Sequence, residues 1–151
     1  MSDRSILLII TGGVAAFKSL ELIRELGRAG VKSRVILTKA AQEFVTPLSV
    51  SALSGEKCFT ELFDLDDEAE MGHIELSRST DLVVVCPASA DIMGKAANGL
   101  ANDLASTALL ATDKRVLYAP AMNVRMWDHP AVKRNVETLR ADGSIVLEPD
   151  E

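Results

Sequence analysis

The sequence predicts an α/β fold, a doubly wound parallel sheet in three layers, and three observations carry that prediction. Short, continuously apolar runs such as Ile6-Leu-Leu-Ile-Ile10 alternate with longer stretches whose apolar positions recur at helical spacing. The short runs are apolar throughout instead of every second residue, the pattern of strands covered by helices on both faces. Aromatics make up only 4% of a chain that is 48% hydrophobic, so Ala, Val, Leu and Ile must build the core.

Residues 5–11 read as the first buried strand. After Gly12-Gly13, the positions Val14, Phe17, Leu20, Leu22, Ile23 and Leu26 fall at helical spacing, and Gly30 is placed to cap that helix. Residues 31–37 form a second strand, 39–44 a short helix before Pro47, and 48–53 a further helix that stops at Ser54-Gly55. Residues 58–71 lack periodicity, and Asp64-Leu-Asp-Asp-Glu68 reads as an exposed acidic loop without the glycine and terminal glutamate of a calcium site. A helical turn over 73–78 leads into a strand over 81–86 that Pro87 closes. Helices follow over 91–97 and 103–112, then a strand over 115–119 closed by Pro120. A helix over 131–142 ends at Gly143, and 144–147 form the last strand. This βα rhythm fits one domain over 1–151. A final strand with no covering element leads us to expect that the domain is truncated before a C-terminal segment.

Composition excludes several functions. The net charge of −6 argues against a nucleic-acid or anionic-membrane partner, since both select for clustered Lys and Arg. Cys58 and Cys86 belong to no CxxC or Cys/His ligand set, so neither a structural metal nor a disulfide framework is expected. The apolar N-terminal run is far below the ~18 residues of a membrane span and lacks a signal-peptide layout. A reducing cytoplasm is the expected compartment.

In doubly wound sheets, ligands bind beyond the carboxyl ends of the strands. The expected site therefore comprises Thr11-Gly-Gly13, Thr38, Pro87-Ala-Ser-Ala-Asp91 and Pro120-Ala-Met-Asn123. Thr11-Gly-Gly-Val-Ala-Ala-Phe-Lys18 lacks the third glycine of a dinucleotide fingerprint, and the second strand ends in Thr38 instead of an acidic residue, which disfavours NAD. It also places Phe17 where a P-loop requires glycine, which disfavours ATP hydrolysis. Hydroxyls at Thr38 and Ser89 beside a glycine loop favour a mononucleotide such as FMN.

The ordered set Thr11-Gly-Gly-Val-Ala-Ala-Phe-Lys18, Met71-Gly-His-Ile-Glu-Leu76, Pro87-Ala-Ser-Ala-Asp91, Gly99-Leu-Ala-Asn-Asp-Leu104 and Pro120-Ala-Met-Asn123 resembles the homo-oligomeric flavin-containing cysteine decarboxylases. The likeness covers nearly the whole chain and is greatest to the members that act on phosphopantothenoylcysteine in coenzyme A biosynthesis. It implies a flavodoxin-like fold, FMN as cofactor, and homotrimers that in some members assemble into dodecamers. By resemblance Gly12, Gly13 and Val14 lie against the flavin phosphate, Thr38, Ser89, Ala90 and Asp91 complete the cofactor site, and Ala121 lies near the ring. The catalytic histidine falls on His73 and the asparagine that holds the substrate carboxylate on Asn123.

Members that make the fully reduced product carry a cysteine-containing flap beyond the last strand, and neither Cys58 nor Cys86 matches it. Two alternatives stay open, a non-catalytic regulatory flavoprotein and a flavin prenyltransferase on the related scaffold; His73 and Asn123 argue against the latter. Elsewhere Asp91 reads as a helix N-cap, Met126 and Trp127 as packing residues, Lys95 as solvated, His129 as a surface residue and Cys86 as a small apolar filler.

Overall fold

The computed structural model describes residues 4–60 and 76–149. Six parallel strands form a single sheet: β1 (Arg4–Ile10), β2 (Val31–Leu37), β3 (Cys58–Phe59), β4 (Leu82–Ala88), β5 (Val116–Pro120) and β6 (Ile145–Val146). Their order in space is β3-β2-β1-β4-β5-β6. Apart from the two-residue edge strand β3, this is the flavodoxin-like order, with the chain reversing its direction of travel between β1 and β4.

Continuous apolarity has its predicted cause. Ile6 through Ile10 are all buried, and they divide between two cores. Leu7 and Ile9 face one core with Val83, Val85, Ile92, Leu104, Val132 and Val136. Ile6, Leu8 and Ile10 face the other with Ile23, Val35, Leu37 and Val50. Helices α1 (Lys18–Arg28) and α2 (Pro47–Ser54) cover the second face. The first is covered by α3 (Ala90–Asn98), α4 (Leu104–Ala111) and α6 (Pro130–Ala141), with the single turn α5 (Val124–Trp127) between β5 and α6. The result is the three-layer α/β fold.

Local chemistry sets the helix ends. Thr46 and Ser49 form a capping box with Pro47 at the first turn of α2, and Asp103 and Ser106 form another on α4. Pro130 occupies the first turn of α6, where its missing N–H costs nothing.

Four readings of the sequence need correction. Pro87 does not close β4: the strand runs on to Ala88, with a register irregularity between Val85 and Ala88, the kind of position where a strand tolerates proline. The stretch without periodicity from residue 58, for which no strand is expected, begins with β3, which pairs with Val35 and Ile36 of β2. The helix after Gly13 opens as a 3-10 turn, Val14–Phe17, before α1 begins at Lys18. The turn after Pro120 continues into α5, too short to show a period. The turn expected over 73–78 is helical at 76–78, and its earlier part, like the acidic run, lies outside the described residues.

Leu8 is fully buried at the centre of the sheet. Leu8→Ala is expected to cost about 2–5 kcal/mol, read as a lower urea midpoint with an unchanged slope.

Candidate active site

The reversal between β1 and β4 opens a cleft at the carboxyl ends of the strands, with a volume of about 820 Å³. Thr11, Gly12 and Gly13 after β1, Thr38 after β2, and Ser89 and Asp91 after β4 all line it.

Thr11 ties the floor together. Its Oγ1 donates to the Pro87 carbonyl at 2.6 Å and accepts from the Ser89 N–H at 2.9 Å, so this buried hydroxyl is committed to the scaffold. Gly12 brings the backbone against the neighbouring loop: a Cβ there would meet the Ala40 Cβ at 2.5 Å. Gly13 has φ +151°, a region that side-chain-bearing residues rarely adopt.

Thr38 and Ser89 are used differently from Thr11. Thr38 Oγ1 accepts from Ala41 N–H at 3.1 Å, and Ser89 Oγ accepts from Ile92 N–H at 3.2 Å as the N-cap of α3. Each oxygen serves as an acceptor, which leaves its own proton to donate to a ligand. The α3 N-terminus adds a favourable field for an anion at the same point. Ser89, and not Asp91, is therefore the helix cap.

Asp91 instead pairs with Lys95, whose Nζ lies 3.1 Å from Asp91 Oδ2 and 3.6 Å from Asp103 Oδ2. Lys95 is not the solvated residue expected: its side chain is only 18% exposed and it lines the cleft, as does Asp103. Burial opposes the Lys95 ammonium, but the hydrogen bond to Asp91 and the charges of Asp103 and Asp91 prevail and lift its pKa above the usual lysine value. Burial likewise raises the Asp103 carboxyl, and hydrogen bonds from Ser106 with the Lys95 charge more than offset this and hold it below the usual range.

β5 brings the fourth strand end alongside. Ala88 pairs with Pro120 across the sheet, and Ala121 N–H donates to the Ala88 carbonyl at 3.2 Å, one residue from Ser89. Asn123 caps α5 through Oδ1, which accepts from Met126 N–H at 2.9 Å. That bond fixes the side-chain amide: Nδ2, with two donors, is left to an exposed surface.

Of the residues expected at the site, Gly12, Gly13, Thr38, Ser89 and Asp91 converge on the cleft. Ala90, Ala121 and Asn123 flank it on the same strand ends without lining it, and Val14 begins the 3-10 turn with 72% of its surface exposed. His73 lies outside the described residues. Lys39, Glu43, Phe44, Lys95 and Asp103 also line the cleft and escaped the sequence reading. Lys95 left a signal in its spacing of four from Asp91 on a helix, and Asp103 in its place within the Gly99-Leu-Ala-Asn-Asp-Leu104 motif.

Cys58 and Cys86 are both unpaired. Burial pushes the Cys58 thiol up to about 11, despite a backbone hydrogen bond at Leu37, and also raises Cys86, so neither is a ready thiolate. Among the described residues, no acidic, His or Cys cluster could hold a metal ion, and no helix is long and apolar enough to cross a membrane.

A nucleotide-sized cleft at the switch point of a flavodoxin-like sheet, furnished with neutral donors and a helix N-terminus, defines a class of phosphate-bearing-ligand proteins. Comparison with known proteins narrows it: the whole chain, residues 1–151, matches the Flavoprotein family, and the chain belongs to that family. It is 43% identical over 151 residues to the coenzyme A biosynthesis bifunctional protein CoaBC of Bacillus subtilis, covering 100% of this chain and 37% of that one. The chain thus spans well under half the length of this relative. Among solved structures, it matches the FMN-dependent cysteine decarboxylase SpaF with a TM-score of 0.90 and 33% identity, over 98% of this chain and 85% of that one. It also matches a PPC decarboxylase mutant complexed with pantothenoylaminoethenethiol, with a TM-score of 0.85 and 29% identity, over 99% and 84% of the two chains.

Thr11→Val removes the hydroxyl that joins β1 to β4 and strands the part-buried Ser89 N–H. A loss of about 1–3 kcal/mol is expected, with Thr11→Ser recovering most of it, as measured by chemical denaturation.

Proposed function

We propose that this chain binds FMN in the switch-point cleft and uses it to decarboxylate the cysteine of phosphopantothenoylcysteine oxidatively, as a carboxy-lyase of coenzyme A biosynthesis. The observation that carries this reading is the match to an FMN-dependent cysteine decarboxylase over 98% of the chain. The relative in coenzyme A biosynthesis and the enethiol-bound PPC decarboxylase support the substrate.

The residues fit the cofactor. Gly12 and Gly13 would offer backbone N–H groups, Thr38 and Ser89 their hydroxyl protons, and the α3 N-terminus a favourable field for the phosphate. We assign Val14 to the phosphate side, Ala90 and Asp91 to the cofactor wall, and Ala121 to the ring side.

A cysteine carboxylate has no electron sink for the carbanion that CO2 would leave behind. When bound, FMN supplies a two-electron oxidation that turns the substrate thiol into a thioaldehyde. The pair from the breaking C–C bond then flows into the C=S group, giving CO2 and an enethiolate. His73 takes the role of moving a proton at the thiol end, since imidazole titrates near neutral pH. Asn123 holds the carboxylate through its two Nδ2 donors, which its Oδ1 cap leaves available. A neutral donor suits the step, because a cation would stabilise the starting carboxylate more than the charge-dispersed transition state.

The active unit is a homo-oligomer, a trimer by family likeness. Val14, Phe17, Phe44, Leu48, Val124 and Met126 are exposed apolar residues on segments that follow the carboxyl ends of β1, β2 and β5, and Phe44 lines the cleft. Exposed apolar residues on this side of the sheet suit a face between subunits. With two unpaired thiols, the protein belongs in a reducing cytoplasm.

Purified protein is expected to be yellow and to sediment above the monomer mass; a colourless monomer that takes up no added FMN contradicts the reading. His73→Asn should keep FMN and lose CO2 release from phosphopantothenoylcysteine. Asn123→Asp keeps a helix-capping oxygen but sets a negative charge against the substrate, so turnover should fall about 100-fold or more at unchanged stability. Unchanged turnover in either variant removes that residue from the mechanism.

A further inference from the structure

We infer that Lys95 is a positioning residue that makes the cleft selective for phosphorylated over unphosphorylated flavin, by cancelling carboxylate charge on the cleft wall. The inference rests on the FMN reading above.

Among the described residues, the ionised side chains lining the cleft are Lys39 and Lys95 against Glu43, Asp91 and Asp103, two cations facing three carboxylates, with no arginine. A phosphate entering here therefore meets neutral donors in a wall of net negative charge. Such donors hold an anion well only where nearby carboxylates are compensated.

Lys95 supplies that compensation at the most sensitive place. Asp91 sits in the first turn of α3 and Asp103 caps α4, so both carboxylates stand at helix N-termini, where a phosphate would otherwise gain the most. Lys95 Nζ reaches both, at 3.1 and 3.6 Å. The lysine side chain is 18% exposed and Asp91 is 74% exposed, so the ammonium lies behind the carboxylate it neutralises instead of reaching into solvent. Asp103 is held in place by the Ser106 N–H at 2.8 Å and cannot swing away if the lysine is lost. Removing Lys95 would leave two uncompensated charges on the wall, which repel a phosphate dianion and are indifferent to the neutral riboflavin.

A bracing role, in which Lys95 merely ties α3 to α4 across residues 99–102, predicts something else: both flavins would suffer together. The two roles separate in a titration of full-length apoprotein with FMN and with riboflavin, followed by flavin fluorescence. Wild type should prefer FMN. Lys95→Met should weaken FMN about tenfold while leaving riboflavin nearly unchanged. Lys95→Gln, which keeps a hydrogen-bond donor, should move in the same direction. Lys95→Met/Asp103→Asn removes one charge of each sign, returns the wall to its original net charge and keeps a capping residue on α4. It should restore the FMN preference without restoring the brace. Equal losses for the two flavins in Lys95→Met, or no recovery in the double variant, overturn the inference. Wild-type apoprotein that takes up neither flavin overturns the FMN reading itself.

Discussion

Thr11 Oγ1 stands where the first and fourth strands end, donating to the Pro87 carbonyl at 2.6 Å and accepting from Ser89 N–H at 2.9 Å. This buried junction sets how far apart the two strand ends lie at the point where the sheet reverses its direction of winding. The glycine loop and the start of α3 hang from it. Gly12 follows directly and approaches Ala40 so closely that no side chain fits. Ser89 follows on the other side and starts α3. The strands beneath it are apolar on both faces and locked between two cores, so the junction is held on a rigid base.

From that base follows a cleft in which polar atoms are sorted by what they have left to give. Thr11 has spent its donor and one acceptor lone pair on the scaffold. Thr38, Ser89 and Asn123 have each spent an acceptor on a backbone N–H, which orients them and reserves their donors. The described wall thus offers neutral donors beside one unpaired cation, Lys39, while Lys95 is already engaged by two carboxylates. Neutral donors suit the proposed reaction, in which a carboxylate loses its charge as CO2 departs.

The sheet was legible because burial on both faces forces continuous apolar runs, and those of β1, β4, β5 and the second half of β2 stand out against their polar flanks. What the sequence concealed follows from specific residues. Reading Pro87 as a strand end displaced the start of α3, so Asp91 took the cap position that belongs to Ser89; the register irregularity in β4 that accommodates Pro87 has no signature in composition. The α5 turn has four residues, too few for a period. Lys95 and Asp103 lie eight positions apart on different helices, and only the turn between α3 and α4 brings them within 3.6 Å. The glycine loop and the strand-end hydroxyls were visible, but which hydroxyls remained open to a ligand depended on backbone partners that only the folded chain supplies.

The most direct measurement of the central claim is anaerobic mixing of the FMN-loaded protein with phosphopantothenoylcysteine, followed by flavin absorbance and CO2 release together. If thiol oxidation precedes loss of the carboxylate, the oxidised-flavin band should bleach before or with CO2 release, and only when the substrate carries its free thiol. CO2 release with the flavin fully oxidised throughout, or no bleaching with a thiol substrate bound, would contradict the account.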